Sequence, residues 1–291
     1  MVFVIIGLAL ALASALATNV AFLFKHRGAV AAPPVRVAHP LQSAAGLFAS
    51  KWFSLGWAVA VGAWALHVGA LSLAQLSSVQ AVLSGGLVFL AVLAERYFGF
   101  HLGRRQWIGV IVTAVGLAVI ALTGGSQAGE TGRYSLAALI AVECGVFAVA
   151  VGLAAISAHR SILQAAEGLF LAAAAGALFG VSDIAIKYLT HAVKGGVLEL
   201  ISPWTLAALA ASVIAFYASA RALQLGPGVE VIALTSIAAN LAAIIGGILV
   251  FRDPVGNGSL AISGRLIAFC LVVAGAALMP APMRVIRQSP Q

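Results

Sequence analysis

The chain has 291 residues, of which 63% are hydrophobic and only 8% are charged, and its formal net charge is +8. A soluble domain carries roughly a quarter charged residues, so this composition excludes an ordinary soluble protein. A surplus of Lys and Arg is typical of the cytoplasmic loops of membrane proteins, and no basic cluster lies on a surface with aromatic residues, as nucleic-acid binding would require. We therefore expect the lipid bilayer as a partner and no nucleic acid.

Apolar runs of membrane-spanning length recur along the whole chain. A helical span needs about 20 mainly apolar residues, and such a run must be helical because unpaired backbone groups are costly in lipid. The predicted fold class is all-α, a polytopic membrane helix bundle of about nine transmembrane helices. The windows are Val2–Phe24, Phe53–Leu76, Ser77–Ala94, Gln106–Thr123, Ser135–Ser157, Gly168–Ile186, Leu200–Ala220, Val231–Phe251 and Leu266–Met283.

The first window and the segment that follows it lead to different structural predictions. Val2–Phe24 has neither the basic start nor the short apolar core of a signal peptide, so we predict that it is retained as a span. Lys25–Trp52 contains three prolines, and we predict a loop or a re-entrant piece over 38–50.

The distribution of basic residues predicts an orientation. With nine alternating spans, eleven of the 16 Lys and Arg residues fall on one side, which the positive-inside rule places in the cytoplasm. The protein is then expected in the cell (inner or plasma) membrane, with its N-terminus outside and its C-terminus inside. The eleven are Lys25, Arg27, Arg36, Lys51, Arg96, Arg104, Arg105, Arg160, Arg221, Arg284 and Arg287, and the other five are Arg133, Lys187, Lys194, Arg252 and Arg265.

Short segments in the two halves of the chain resemble each other. Thr18-Asn19-Val20-Ala21 resembles Ser182-Asp183-Ile184-Ala185, and Gly85-Gly86 resembles Gly246-Gly247 in helices that end at Glu95 and Asp253. The period is five spans, and an odd number of spans inverts the second copy. We predict a first repeat over 1–124 with a cytoplasmic loop at 25–52, a linking helix at 135–157, a second, inverted repeat over 163–283, and a cytoplasmic tail at 284–291.

Two stretches resemble a known family. Leu71–Leu122, with Glu95 followed by Gln106-x-x-Gly109, and Val231–Gly256, with Phe251-x-Asp253-Pro254, are similar to the EamA-like branch of the drug/metabolite transporter superfamily. That family commonly has ten spans, whereas the nine predicted here resemble the layout of NIPA-type magnesium transporters. The resemblance implies an inner-membrane carrier for amino acids, metabolites or drugs, driven by a gradient or working by exchange.

Ionisable residues inside predicted spans are candidates for function because they are costly in the bilayer. Glu143 lies near the middle of the fifth span and is predicted to be a proton-coupling or cation-binding carboxylate, or a neutral acid bonded across helices. Asp183 and Lys187 are spaced i, i+4 and share one helix face. They either meet a charged group of the substrate or neutralise each other.

The remaining candidates are polar residues at similar depths. Asn19 is the repeat equivalent of Asp183, and His67 is either a proton relay or a neutral histidine bonded to a backbone carbonyl. The other residues that could line a cavity are Gln80, Glu230 and Asn240, with an interfacial position as the alternative for Glu230, and Trp64 as an aromatic wall.

These observations predict a secondary transporter that moves a small solute by alternating access between two halves. The low polarity favours an apolar or zwitterionic solute. A divalent-cation transporter of the magnesium kind is the first alternative, since Glu143, Asp183 and Glu230 could hold a hard cation. A non-transporting membrane scaffold or complex subunit is the second.

An enzyme is not expected, because the chain has no clustered acid and base, no phosphate loop and no zinc-ligand spacing. No catalytic residues and no cofactor are predicted. The sequence leaves open the substrate, a metal site and whether the chain forms a homodimer.

Overall fold

The computed structural model describes residues 2–36, 38–97, 103–123, 134–158, 164–253 and 259–278. Within these ranges the chain forms nine α-helices of 20 to 29 residues, one α-helix of nine residues, two short 3-10 helices (Val193–Gly195 and Val197–Leu200) and no strand, which confirms the predicted all-α class. The helices are α1 (Val2–Val30), α2 (Pro40–Phe48), α3 (Lys51–Leu73), α4 (Leu76–Tyr97), α5 (Arg104–Thr123), α6 (Leu136–Ser157), α7 (Gln164–Ala192), α8 (Pro203–Leu225), α9 (Gly228–Leu249) and α10 (Ser259–Leu278).

Six of the helices are long and apolar enough to cross a membrane, namely α1, α3, α6, α7, α8 and α9. Their length and composition confirm that this is an integral membrane protein. Helices α4, α5 and α10 have 20 to 22 residues. Helix α4 lies against α1 and α9, and α5 lies against α4 and α10. Helix α4 carries the polar pair Ser77 and Ser78 at its start and Glu95 and Arg96 at its end, which lowers its hydropathy.

The segment predicted as a loop or a re-entrant piece contains the nine-residue helix α2. Pro40 occupies its first turn, where the missing N–H costs nothing because that group has no helical partner. Nine residues rise only about 14 Å, so α2 is too short to cross the bilayer. Its Leu47 is fully buried, and its Phe48 ring contacts Phe53 and Phe216.

The helices pack in two similar groups. Helix α1 lies against α3 and α4, and α7 lies against α8 and α9. The groups meet at four helix pairs, which are α4 with α9, α5 with α10, α1 with α8, and α3 with α7. Helix α6 packs on α7 and touches α9, so it lies beside the second group.

Two glycines allow α7 and α9 to come close together. Gly176 faces the carbonyl of Thr235, and Gly180 faces Ala242, with no room for a side chain at either position. Helices in a bilayer associate through close packing and not through the hydrophobic effect, and small residues at a crossing let the two backbones approach closely. Both glycines therefore serve the packing of α7 against α9.

Contacts at the helix termini define two ends of the bundle. At the first, which we call the α2 end, Gln224 in the last turn of α8 donates to the carbonyls of Ala29 and Pro33, at 3.1 and 3.0 Å. At the second, the Lys187 end, the backbone N–H of Ser77 donates to Asp253 at 2.8 Å. The chain therefore alternates in direction from one long helix to the next.

Several predictions concern residues outside the described ranges. These are the tail 284–291, four residues of the charge count (Arg133, Arg160, Arg284 and Arg287) and the Pro254 and Gly256 positions of the second family motif. The orientation in the membrane and the boundaries of the repeats remain predictions.

Candidate functional site

His67 and Gln80, two of the predicted site residues, both contact the carboxylate of Asp183, and the three residues lie on three different helices. The Oδ1 atom of Asp183 on α7 lies 3.0 Å from Nε2 of His67 on α3, and its Oδ2 accepts a hydrogen bond from Nε2 of Gln80 on α4 at 2.9 Å. The His67 ring is buried, and its Nδ1 atom has no hydrogen-bond partner. Both carboxylate oxygens thus face a side-chain donor, and the cluster joins the first group of helices to α7.

The expected pairing of Asp183 with Lys187 does not occur. Lys187 is buried, and its ammonium donates to the backbone carbonyls of Leu71 and Ala74, at 2.6 and 2.7 Å. These carbonyls end α3, where a cation is favoured by the helix dipole. Lys187 therefore secures the α3–α4 turn, and Asp183 is held by other partners.

A polar cavity of about 190 Å³ borders the Asp183 cluster. Asn19 and Asn240 line it, as do Thr235 and Ser236 on α9. Nδ2 of Asn19 donates to the Ala15 and Gly86 carbonyls, and its buried Oδ1 has no hydrogen-bond partner among the described residues. Oγ1 of Thr235 is also buried and without one. The cavity wall thus offers polar groups that the protein itself does not satisfy.

Gly86 explains how Asn19 comes to this wall. A Cβ atom at Gly86 would lie 2.8 Å from the Asn19 amide nitrogen, so only glycine lets the amide approach the α4 backbone. Asn19 and Asp183, which the repeat pairs in sequence, line the same cavity from opposite groups of helices.

A larger and more apolar cavity of about 530 Å³ continues from the first, between α3 and α8. The two share part of their walls, including Asp183 and Trp64, which was predicted as an aromatic wall. At the α2 end the wall residues Phe53 and Leu223 are buried. Farther along, Trp64 and Leu209 are exposed by 55% and 58%, so the cavity is closed at the α2 end and open beside these two residues.

An aromatic cluster forms the closed end. The rings of Phe53 and Trp57 on α3 lie 6.1 and 5.9 Å from that of Phe216 on α8, and Phe48 of α2 contacts all three. We call these four residues the aromatic plug. Tyr217, the next residue on α8, donates to the Pro40 carbonyl at 3.1 Å and so ties α8 to α2.

Lys25 is a site residue that the sequence reading missed. It was counted as a loop cation, but α1 continues to Val30, so Lys25 stays inside the bundle. It lines both cavities, and its ammonium lies 4.0 Å from the centroid of the Phe22 ring. No described residue forms a hydrogen bond or an ion pair with this ammonium. The signal in the sequence was that neither proline nor glycine occurs between Phe24 and Gly28 to end the helix at the first charge.

The predicted acids Glu230 and Glu143 lie away from Asp183. Glu230, in the first turn of α9, accepts a hydrogen bond of 2.7 Å from Gln106 on α5 at the α2 end. Glu143 is buried on α6, and its Oε1 has no hydrogen-bond partner. It lines neither cavity, and Oε1 does not form, with any described residue, the bond across helices that was one of the two predicted roles.

The two acids predicted at helix ends have ordinary partners. Oε2 of Glu95 accepts a hydrogen bond of 3.2 Å from the indole of Trp107. Asp253 follows α9 but bonds to the N–H of Ser77, so it caps the start of α4, where a negative charge is favoured. The left-handed backbone of Arg252, with φ of 53°, turns the chain toward that contact.

Among the described residues, no three His, Cys, Asp or Glu side chains come together as a metal-binding group. Asp183 is the one carboxylate on the described walls of the two cavities. A cation bound there would also be coordinated by amide oxygens, such as those of Asn19 and Asn240, by hydroxyl oxygens, and by water molecules that it retains.

The chain is similar to the "Probable magnesium transporter NIPA9" of Arabidopsis thaliana, with 23% identity over 98% of this chain and 85% of that protein. No family model matches the chain. No solved structure matches it. The six apolar helices and this relative establish an integral membrane protein with similarity to a transporter over nearly its whole length.

Proposed function

We propose that this protein is a secondary transporter that moves a small solute by alternating access, with its substrate site in the polar cavity at Asp183. The observation that carries this proposal is the position of Asp183, which is bonded to His67 and Gln80 from the other group of helices. Ionisable residues in the interior of a membrane bundle mark substrate pathways. A cavity between two groups of helices is the usual place for such a site.

An inverted repeat of the two groups is part of this proposal. Asn19 of α1 fills the space at Gly86 of α4, and Ile184 of α7 fills the space at Gly246 of α9. The predicted correspondence pairs Asn19 with Asp183 and Gly86 with Gly247, so each residue of the second contact lies one position from its predicted equivalent. The repeats would be α1 with α3–α5 and α7 with α8–α10, so all nine long helices would cross the membrane, and α6 would link the halves.

The turns of the two halves are also held in a similar way. Lys187 of α7 donates to the Leu71 carbonyl at the end of α3. His26 of α1 is hydrogen-bonded to the Leu223 carbonyl at the end of α8. Each half thus secures the turn of the other at opposite ends of the bundle, an arrangement suited to two gates that open in alternation.

Uptake into liposomes that contain the purified protein tests this function. The probes are radiolabelled amino acids and monocarboxylates, together with Mg²⁺ reported by an entrapped dye. We expect one class of probe to accumulate, and Asp183→Asn to reduce its uptake at least tenfold. Glu95→Gln is the matched control, because Glu95 lies outside the cavities and, among the described residues, accepts its hydrogen bond from Trp107. Equal uptake by Asp183→Asn and the unsubstituted protein would contradict the proposed site, and a complete lack of uptake would favour a membrane scaffold.

A magnesium transporter is the second candidate, and the similarity to NIPA9 is the observation that favours it. Mg²⁺ keeps several of its waters and is commonly held by one or two carboxylates. Asp183, with the amides of Asn19 and Asn240, could contact such a hydrated ion. Dye-reported Mg²⁺ uptake that Asp183→Asn abolishes would support this candidate, and Mg²⁺ uptake equal to that of empty liposomes would exclude it.

A further inference from the structure

We propose that the two joined cavities bind an amphipathic organic monoanion, with its acidic group at Lys25 and its apolar body in the larger cavity. This inference rests on the proposed transport site and specifies its substrate class. It comes from the charges on the cavity walls and from the unequal polarity of the two cavities.

The charges on the walls favour an anion. Asp183 already has a side-chain donor at each oxygen, whereas Lys25 has no hydrogen bond or ion pair with any described residue. A cation that lacks a partner inside a membrane bundle is costly. A bound carboxylate would provide the missing charge and accept a charge-assisted hydrogen bond.

The position of Lys25 fixes where such a group would bind. The lysine stem packs against Gly56, where a Cβ atom would lie 2.8 Å from the lysine Cγ. The ammonium is also near the face of the Phe22 ring, which favours a cation. Lys25 lines both the polar and the apolar cavity. The two contacts therefore hold its side chain where the cavities join.

The larger cavity would accommodate the apolar body. Trp57, Phe179 and Phe216 line it with Ile186 and Leu209, and its volume of about 530 Å³ lies within the range of small-molecule sites. Its hydroxyl groups are few, and two of them, on Ser182 and Ser212, bond to each other at 2.8 Å. A ring or a short alkyl chain would therefore meet mainly apolar surface.

Four probes with controlled charge and size test the class. The purified protein is titrated with 4-phenylbutyrate, 4-phenylbutyramide, 4-phenylbutylamine and butyrate, and binding is measured by calorimetry and by a rise in melting temperature. We expect 4-phenylbutyrate to bind at least tenfold more tightly than the amide or the amine of the same body. Butyrate should bind at least tenfold more weakly, because it lacks the ring.

Substitutions of Lys25 assign the preference to one residue. Lys25→Met should remove the difference between the anion and the amide, and Lys25→Arg should retain it. Lys51→Met is the matched control, because that lysine is exposed at the start of α3. Equal affinity for the anion in Lys25→Met and the unsubstituted protein would overturn the inference, as would tighter binding of the amine.

The outcomes also separate this inference from the proposed transport site. If a probe other than an anion is taken up and Asp183→Asn abolishes that uptake, the Asp183 site stands and the anion class is wrong. If Mg²⁺ alone raises the melting temperature and Lys25→Met strengthens its binding, the ligand is a divalent cation and the anion class is likewise overturned.

Discussion

His67 on α3 and Asp183 on α7 lie 3.0 Å apart, 116 residues from each other in sequence, and form a hydrogen-bonded contact between the two groups of helices at the cavity. Gln80 completes the cluster from α4. A carboxylate in this position contributes to the polar wall of the cavity and also connects helices that would move relative to each other under the proposed alternating access. The two roles have separate experimental signatures.

His67→Ala should lower the free energy of unfolding by about 1–3 kcal/mol, because it removes one of the donors to a carboxylate in the protein interior. Asp183→Asn combined with His67→Ala should cost less than the sum of the single changes, since the residues are in contact. The measurement is thermal or denaturant unfolding in detergent. His39→Ala is the control, because His39 is exposed and its side chain does not cap α2. If the effects of the two single substitutions add, the contact between His67 and Asp183 does not contribute to stability.

Lys187→Met should destabilise the protein by about 1–3 kcal/mol, because the carbonyls of Leu71 and Ala74 would lose a buried donor. The neighbouring charge of Asp253 would also lose its opposite partner. Lys194→Met is the matched control, since Lys194 is exposed beyond the end of α7. A melting temperature of Lys187→Met equal to that of the control would refute a role for Lys187 in the turn.

The aromatic plug predicts unequal access to the larger cavity. In a background without Cys144 and Cys270, a cysteine at Leu209 should react rapidly with a water-soluble thiol reagent, and a cysteine at buried Ser219 should react slowly. Phe216→Ala should accelerate the reaction at position 219 at least tenfold, because it opens contacts with Phe53 and Trp57.

The control for the plug is Phe147→Ala, because Phe147 lies on α6 and is exposed away from both cavities. If Phe216→Ala leaves the reaction rate at position 219 unchanged, the aromatic rings do not close this end.

Gly180→Leu should prevent close packing of α7 on α9 and lower the free energy of unfolding by about 1–3 kcal/mol, since a side chain would collide with Ala242. Gly145→Leu introduces the same side chain on α6, where nothing lies within 4 Å of an added Cβ, and should be nearly neutral. Unfolding curves of the two variants provide the comparison. Similar losses in both would contradict the packing role of Gly180, because helix propensity alone favours leucine over glycine at either position.

Glu143→Leu should raise the free energy of unfolding by about 1–2 kcal/mol, because it removes a buried acid with an oxygen that has no hydrogen-bond partner. An acid retained at such a cost is expected to serve function. Glu143→Gln should abolish any stimulation of uptake by a pH gradient and leave binding at Asp183 intact. Full gradient-driven uptake by Glu143→Gln would exclude a proton-coupling role, and a less stable Glu143→Leu protein would indicate a structural one.

The apolar runs by themselves determined the membrane character, the helical class and most helix positions, because a bilayer forces backbone groups to pair within each segment. They also placed Asp183, His67, Gln80 and Asn19 among the candidates, since a polar residue in such a run is conspicuous. Helix α2 was not predicted as a helix, because nine mildly apolar residues form one only when neighbours such as Phe53 and Phe216 support them.

Only the tertiary structure decided which polar groups meet. The i, i+4 spacing brought Asp183 and Lys187 to one helix face, but the nearest partners of each are on other helices, so the expected pair gave way to His67 and to the Leu71 carbonyl. Lys25 looked like a loop cation because hydropathy ends at the first charge, whereas the helix continues to Val30 and carries it into the cavity wall. Spacing within a helix determines the face of a residue, and the packing of the other helices determines what that face contacts.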